Sequence, residues 1–312
     1  MKIKDFESGL RLNLPLLINR VTRGVTNSGD PYLTITFQDD SSEIDGKLWK
    51  VTKEQQDTIK SGLIVDANIE VIDYRQGLQL RVHNVKIEDQ SQYDLQSFVK
   101  SGIYTSEFLK SKIKDTVESI ENSIIKQLVV ASLDKAGEAF YQYPAATRNH
   151  HDFVGGLATH VYGMIELAKA ICGIYPLYNK DLLLAGVILH DLGKIDEYTA
   201  PLLSEYSTQG KLLGHISIAH ANFVNVASEL GLENTEEALM IRHMILSHHG
   251  QLDYGSPVMP MFKEAEVLNI IDNLDARTNM FEKVYSDLED GEFSTRVFAL
   301  ENRNFYKGKG VK

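Results

Sequence analysis

Nine of the ten histidines of this 312-residue chain fall between His150 and His249. Imidazoles and carboxylates are the usual ligands of first-row divalent cations, so such crowding raises the question of convergence on metal. The stretch that organises the rest is Ile188-Leu189-His190-Asp191-Leu192-Gly193-Lys194. It closes a run from Leu182 to Leu189 that is hydrophobic all round, the pattern of a helix buried on every side. A buried imidazole beside a buried carboxylate is costly unless the two are paired or bind a cation. Successive helical residues point about 100° apart, so His190 can hold one ion while Asp191 reaches toward a second. Lys194, one turn after His190, would place a positive charge at the same cleft.

Four further stretches supply partners: Gly155-Gly156-Leu157-Ala158-Thr159-His160, Gly214-His215, Ser247-His248-His249-Gly250 and Ile271-Asp272-Asn273-Leu274-Asp275-Ala276. His160 alone would read as a core histidine, and His220 and His243 read as structural residues. The ordered series His, His-Asp, His, His-His, Asp carries more than any member, because imidazoles and carboxylates on separate helices can meet in a bundle core around two divalent ions. Asp272 and Asp275 lie three residues apart, and periodicity does not choose between them. Ligand type alone allows Fe, Zn, Co or Mn. Arg148, His150 and His151 form a polar entrance to the His160 helix; they would either contact substrate phosphate or sit in a surface loop.

The elements that must carry these residues follow from patterning. Residues 150–312 alternate long apolar stretches with the histidine motifs and read as an all-helical domain ending in a basic tail, Arg303 to Lys312. Residues 89–149 read as a helical connector with a core-facing stripe that includes Ile113, Val117, Ile124 and Leu128. Residues 1–88 are different. Five β-rich segments (Leu14 to Thr26, Tyr32 to Asp39, Ile44 to Val51, Leu63 to Tyr74, Leu78 to Ile87) have one short polar helix between the third and fourth, the order of an OB-type barrel. Strand alternation puts Leu33, Ile35 and Phe37 inside, and Tyr32, Lys47 and Trp49 outside. Aromatic rings beside Lys47 and Arg81 suit single-stranded nucleic acid, since bases stack on rings while cations follow phosphates; equally, the rings would cap the barrel. The fold class expected is thus a multidomain chain of α and β, a five-stranded barrel ahead of a helical domain.

Composition adds bounds. A single cysteine rules out an internal disulfide, and with no signal-like N-terminus or run of roughly 18 apolar residues the expectation is a cytoplasmic protein away from membranes. The net charge of −11 means that a polyanion would be held by bound metal, by stacking or by a local patch rather than by the bulk field.

The series His160, His190-Asp191, Asp272 resembles the signature of the HD superfamily of metal-dependent phosphohydrolases, an all-helical fold, and Lys194, His215 and His248-His249 resemble its two-metal branch. With the OB-type domain in front, the whole chain is similar to the YhaM family of 3′-to-5′ exoribonucleases. That resemblance implies that His160, His190, Asp191 and Asp272 hold one ion, that Asp191 bridges to a second held by His215, His248 and His249, and that the ions are Mn²⁺. It selects Asp272 over Asp275, and implies single-stranded RNA as substrate, with single-stranded DNA a further candidate. Two such ions would activate water for in-line attack on a phosphodiester, and Lys194 would stabilise phosphoryl oxygens as charge develops. Two other readings remain: an HD-type phosphodiesterase acting on a small or cyclic nucleotide, and a non-catalytic nucleic-acid-binding regulator with a structural metal. The oligomeric state, a homo-oligomer included, stays open.

Overall fold

The computed structural model describes residues 1–75, 77–100, 102–146, 151–286 and 288–310. It divides the chain into two compact units, Met1–Ser101 and Gly102–Lys312, each with its own apolar core.

The first unit is a closed barrel of β1 (Arg11–Val25), β2 (Pro31–Gln38), β3 (Glu43–Trp49), β4 (Ile64–Tyr74) and β5 (Gly77–Ile87). The strands close in the order β1-β2-β3-β5-β4, every pairing antiparallel except β3 with β5. This is an OB-type barrel. Between β3 and β4 sits α1 (Lys53–Thr58), started by a capping box in which Thr52 and Gln55 satisfy each other's backbone N–H. Leu33, Ile35 and Phe37 fill the interior with Ile18, Val65, Ile69 and Leu80, as strand alternation requires. The unit continues past residue 88 because the chain folds back. The Gln90 side chain bonds both Ile64 N and Ile64 O, at 2.8 and 2.9 Å, and pins the segment to β4.

The second unit holds α2 (Ser106–Glu118), α3 (Ser123–Ala136), α4 (Gly156–Ile174), α5 (Lys180–Leu189), α6 (Lys194–Glu197), α7 (Thr208–Glu229), α8 (Glu236–Ser247) and α9 (Lys263–Ser286). The stripe expected in a connector is part of this core: Ile113, Val117 and Leu128 pack in one cluster with Leu157, Leu183 and Leu268. Among the described residues α4 is long and apolar enough to cross a membrane, but Leu157, Val161, Met164, Ile165 and Ala168 are buried in the protein core. The basic tail expected from Arg303 begins within residues 288–310, which are ordered against α9. They fold back as a hairpin, with Phe305 packed edge-on against Phe281 of α9 and Lys307 Nζ donating to the carbonyls of Tyr285 and Leu288 at the helix end. Aromatic burial and carbonyl capping outweigh the freedom a charged terminus would keep.

Two backbone features bring the histidine motifs together. Gly193 lies so close to α7 that a Cβ there would meet His215 O at 2.1 Å and Ala219 N at 2.7 Å. Within α7, Gly214 takes φ +70°, ψ 152° and interrupts the helix immediately before His215. Replacing Gly193 by Ala would therefore force α7 away from the His190-Asp191 turn. The expected result is a loss of about 1–3 kcal/mol in stability, read by denaturant unfolding, together with weaker metal binding; unchanged values for both would contradict the packing described.

Candidate metal centre

α5 delivers His190 and Asp191. Every residue from Leu182 to Leu189 is buried, Asn179 caps the start of the helix, and His190 forms its C-terminal cap. His190 and Asp191 thus emerge from a wholly apolar helix into a space that four other segments close. His160 comes from α4, His215 follows the break in α7, His248 and His249 follow α8, and Asp272 lies on α9.

The geometry is set by which nitrogen each ring turns outward. Nδ1 of His190 donates to Val187 O (2.9 Å), that of His248 to Ile245 O (2.8 Å), and that of His249 to Tyr254 O (2.6 Å). A carbonyl oxygen only accepts, so each of these Nδ1 atoms carries a hydrogen. Nδ1 of His215 is 3.1 Å from Glu197 Oε1, and Nδ1 of His160 is 2.6 Å from Asp275 Oδ2; an ionised carboxylate likewise only accepts. All five rings therefore turn Nε2 inward. Among the described residues, the buried Nε2 atoms of His190, His215 and His248, and Oδ1 of Asp191, have no hydrogen-bond partner.

Asp191, 2% exposed, divides its oxygens between two groups. Oδ2 lies 3.2 Å from His190 Nε2 and 3.8 Å from His160 Nε2, whereas Oδ1 lies 3.4 Å from His215 Nε2 and 3.6 Å from His248 Nε2. Asp272 Oδ1 is 3.3 Å from His160 Nε2. Donor atoms of His160, His190 and Asp272 lie within 4.8 Å of one another, as do those of His215, His248 and His249 and those of His190, Asp191 and His248. Inward nitrogen lone pairs, uncompensated in a dry pocket beside carboxylates, fit divalent cations. Lys194, buried, donates from Nζ to Asp191 Oδ2 at 2.6 Å.

Burial and neighbouring charges set the protonation states. Burial would lower the His160 pKa, but hydrogen bonds to Asp272 and Asp275 outweigh it and push it up to about 10. Burial and the charges of His249 and His190 drive His248 well below its ordinary value, and burial with His215 lowers His249. Asp191 stays far below the carboxylate range: burial opposes ionisation, but Lys194 and His190 prevail. The same balance, through His160 and His190, lowers Asp272.

The structure thus brings together His160, His190, Asp191, Lys194, His215, His248, His249 and Asp272. It also separates the two aspartates that periodicity left open: Asp272 faces the inner nitrogen of His160 and Asp275 the outer one. Sequence reasoning missed the supporting residues. Glu197 accepts from both His215 N (2.8 Å) and His215 Nδ1, and Asn269 Nδ2 donates to His248 O (2.7 Å); neither has a motif. For Asp275 the three-residue spacing was a signal. His220 and His243 lie apart from the cluster as structural acceptors, from Arg242 Nε and Met261 N. His151, expected at the entrance where substrate phosphate would approach, is corrected: it is 7% exposed and its Nε2 bonds Asp275 Oδ2 at 2.8 Å, because a buried imidazole needs that acceptor. Arg148 and His150 lie outside the described residues.

On the barrel, Tyr32 and Trp49 are cross-strand partners with ring centroids 4.8 Å apart. Lys47 Nζ sits 5.2 and 5.3 Å from the two ring centres, and Trp49 is 47% exposed. Gly24 makes this possible, since a Cβ there would run into the Tyr32 ring. Arg81 is adjacent to Lys47 across β3 and β5, but its guanidinium is committed to Glu70 at 2.8 Å.

A cation at His160 Nε2 requires that lone pair, so it competes with a proton held to about pH 10. Metal affinity should therefore rise with pH from 6.5 upward, with at least one proton released per chain on loading. Calorimetric Mn²⁺ titration at pH 8 in buffers of different ionisation enthalpy measures this release, and buffer-independent heats would overturn the assignment.

Two comparisons with known proteins found similarities. One solved structure this chain is similar to is the second OB-fold domain of replication protein A from Methanococcus maripaludis, 21% identical with a TM-score of 0.23, over 28% of this chain and 92% of that one. In the second, residues 157–277 match the family model of the HD domain, and that match and the donor set together indicate a metal-dependent hydrolase of phosphoesters.

Proposed function

We propose that this protein is a 3′-to-5′ exonuclease of the YhaM type, which removes nucleotides from single-stranded RNA, and from single-stranded DNA as a second substrate, using two Mn²⁺ ions. The observation that carries the reading is the convergence of the Nε2 atoms of His160, His190, His215 and His248 on an Asp191 carboxylate whose two oxygens serve different histidine pairs. His160, His190, Asp272 and Asp191 Oδ2 would hold one ion; His215, His248, His249 and Asp191 Oδ1 the other. When bound, the pair supplies Lewis acidity and activates water near neutral pH.

The chain's own residues do the remainder. Glu197 and Asp275 hold His215 and His160 in the tautomer that presents Nε2. Lys194 keeps a fixed positive charge 2.6 Å from Asp191, where it screens the carboxylate from an approaching phosphodiester and can donate to its oxygens. The apolar shell of α5 excludes bulk water behind the donors, which strengthens each electrostatic contact. On the barrel, the Tyr32–Trp49 pair offers a face to bases and Lys47 a charge to phosphate, an arrangement that favours a polymer over a small nucleotide.

With 5′-labelled single-stranded RNA and Mn²⁺, the parent should give a stepwise ladder. Asp191→Ala should abolish it, a drop of at least 10³-fold, and Trp49→Ala should raise KM several-fold with kcat nearly intact. No ladder from the parent would sink the nuclease reading; rapid turnover of a cyclic dinucleotide instead would favour the small-substrate phosphodiesterase.

A further inference from the structure

His151 is the member of the histidine cluster that metal binding leaves unused. It lies just before α4, and its Nε2 is 2.8 Å from Asp275 Oδ2, the oxygen that also takes His160 Nδ1 at 2.6 Å. A carboxylate oxygen shared by two rings at these distances accepts from both, so both nitrogens donate to it. A carboxylate with one donor can swing about its Cβ–Cγ bond. A second donor from another direction fixes it.

His151 is itself held in place from several sides. Its φ is +46°, a strained value for a residue other than glycine. Its N–H donates to Asn279 Oδ1 at 2.8 Å, and its carbonyl accepts from Ala145 N at 3.1 Å. That carbonyl lies so close to α4 that a Cβ on Gly156 would come within 1.9 Å of it, while a Cβ on Gly163 would come within 2.4 Å of Asp275 Oδ1. Gly156, His160 and Gly163 share one face of α4 by their spacing of four and three. Two glycines thus make room for the carbonyl and the carboxylate that flank the histidine between them. An ion among His151, Asp275 and His160 is disfavoured, because those nitrogens already donate to the shared oxygen.

We infer that His151 is a positioning residue: through Asp275 it fixes the orientation and tautomer of His160, and so sets how tightly the group of His160, His190 and Asp272 holds its ion. This rests on the metal reading above but not on the identity of the substrate. Outer partners of a ligating histidine typically change metal affinity by about 10–100-fold.

The test is a double-mutant cycle in the full-length, chelator-stripped protein, read by calorimetric Mn²⁺ binding and by steady-state hydrolysis of bis(p-nitrophenyl) phosphate. His151→Ala and Asp275→Asn should each weaken one ion about 10–100-fold, and the double variant should be no weaker than Asp275→Asn alone, since the two act in series. His151→Gln, whose amide can still donate to Asp275, should recover most of the affinity. At saturating Mn²⁺, KM should be unchanged. Should His151→Ala fail to fold, the cycle is run with His151→Phe. A raised KM with intact Mn²⁺ affinity would make His151 a substrate contact, additive losses would detach it from Asp275, and a lowered melting temperature alone would make it mere packing; each overturns the inference. A parent that shows this cycle but cuts no RNA would sink the nuclease reading and leave the positioning role standing.

Discussion

The structure depends on one constraint: five imidazoles can share a dry pocket only if most are neutral and all present the same nitrogen. Five imidazolium ions at ring separations such as the 4.3 Å between His248 and His249 would repel one another more than Asp191 and Asp272 alone could offset. Burial pushes His248 and His249 toward the neutral form, and an acceptor at Nδ1 fixes the tautomer of each ring in turn. Where that acceptor is a backbone carbonyl, as for His190, His248 and His249, it belongs to a helix end or the turn that follows it. The last turns of a helix leave carbonyls without intrahelical donors. Setting ligands at the C-terminal ends of α5 and α8 therefore satisfies the helix and the imidazole at once.

The two rings whose acceptors are carboxylates, His160 and His215, need support from further away, and it is there that the backbone departs from regular structure. Gly214 breaks α7 so that both the N–H and the ring of His215 reach Glu197. Gly163 admits Asp275 against α4. The regular helices carry the ligands, and the irregular positions let the supporting acceptors approach them. A side chain added at Gly163 would therefore act on the metal centre through Asp275, and one at Gly193 through the backbone of His215.

Much of this was legible in the sequence, for identifiable reasons. The barrel could be read because its strands alternate cleanly, as in Leu33, Ile35 and Phe37, and because turn residues punctuate them. The convergence of the cluster could be read because His190-Asp191 ends a helix with no polar face, so the pair has no innocuous place to go. The choice of Asp272 came from resemblance and not from periodicity; the structure shows why, since both aspartates contact one ring at opposite nitrogens. Glu197 and Asn269 could not be found, because a single acceptor or amide at a long sequence separation leaves no local pattern. The placement of His151 failed for a related reason: a polar run such as Arg148 to Asp152 resembles an exposed loop, and only the fold shows that one of its members turns inward. The boundary after residue 88 likewise hid the return of Gln90 to β4, a contact made by one side chain.

The charge of the chain gives the remaining argument. At −11, and with Asp191 and Asp272 at the centre of the site, the field of the protein repels a polyanion at long range. At the metal centre, attraction to phosphate must then arise locally, from Lys194 and from cations that the donor set accepts. Those cations do more than neutralise: without them the carboxylates would oppose the substrate they are placed to meet. On the proposed reading, binding of phosphoester is in this way conditional on metal, and the barrel adds a route that does not depend on field strength. On the same reading, stacking on Tyr32 and Trp49 is short-ranged and little affected by net charge, so an acidic chain can retain a single strand with Lys47 and the metal centre engaging its phosphates.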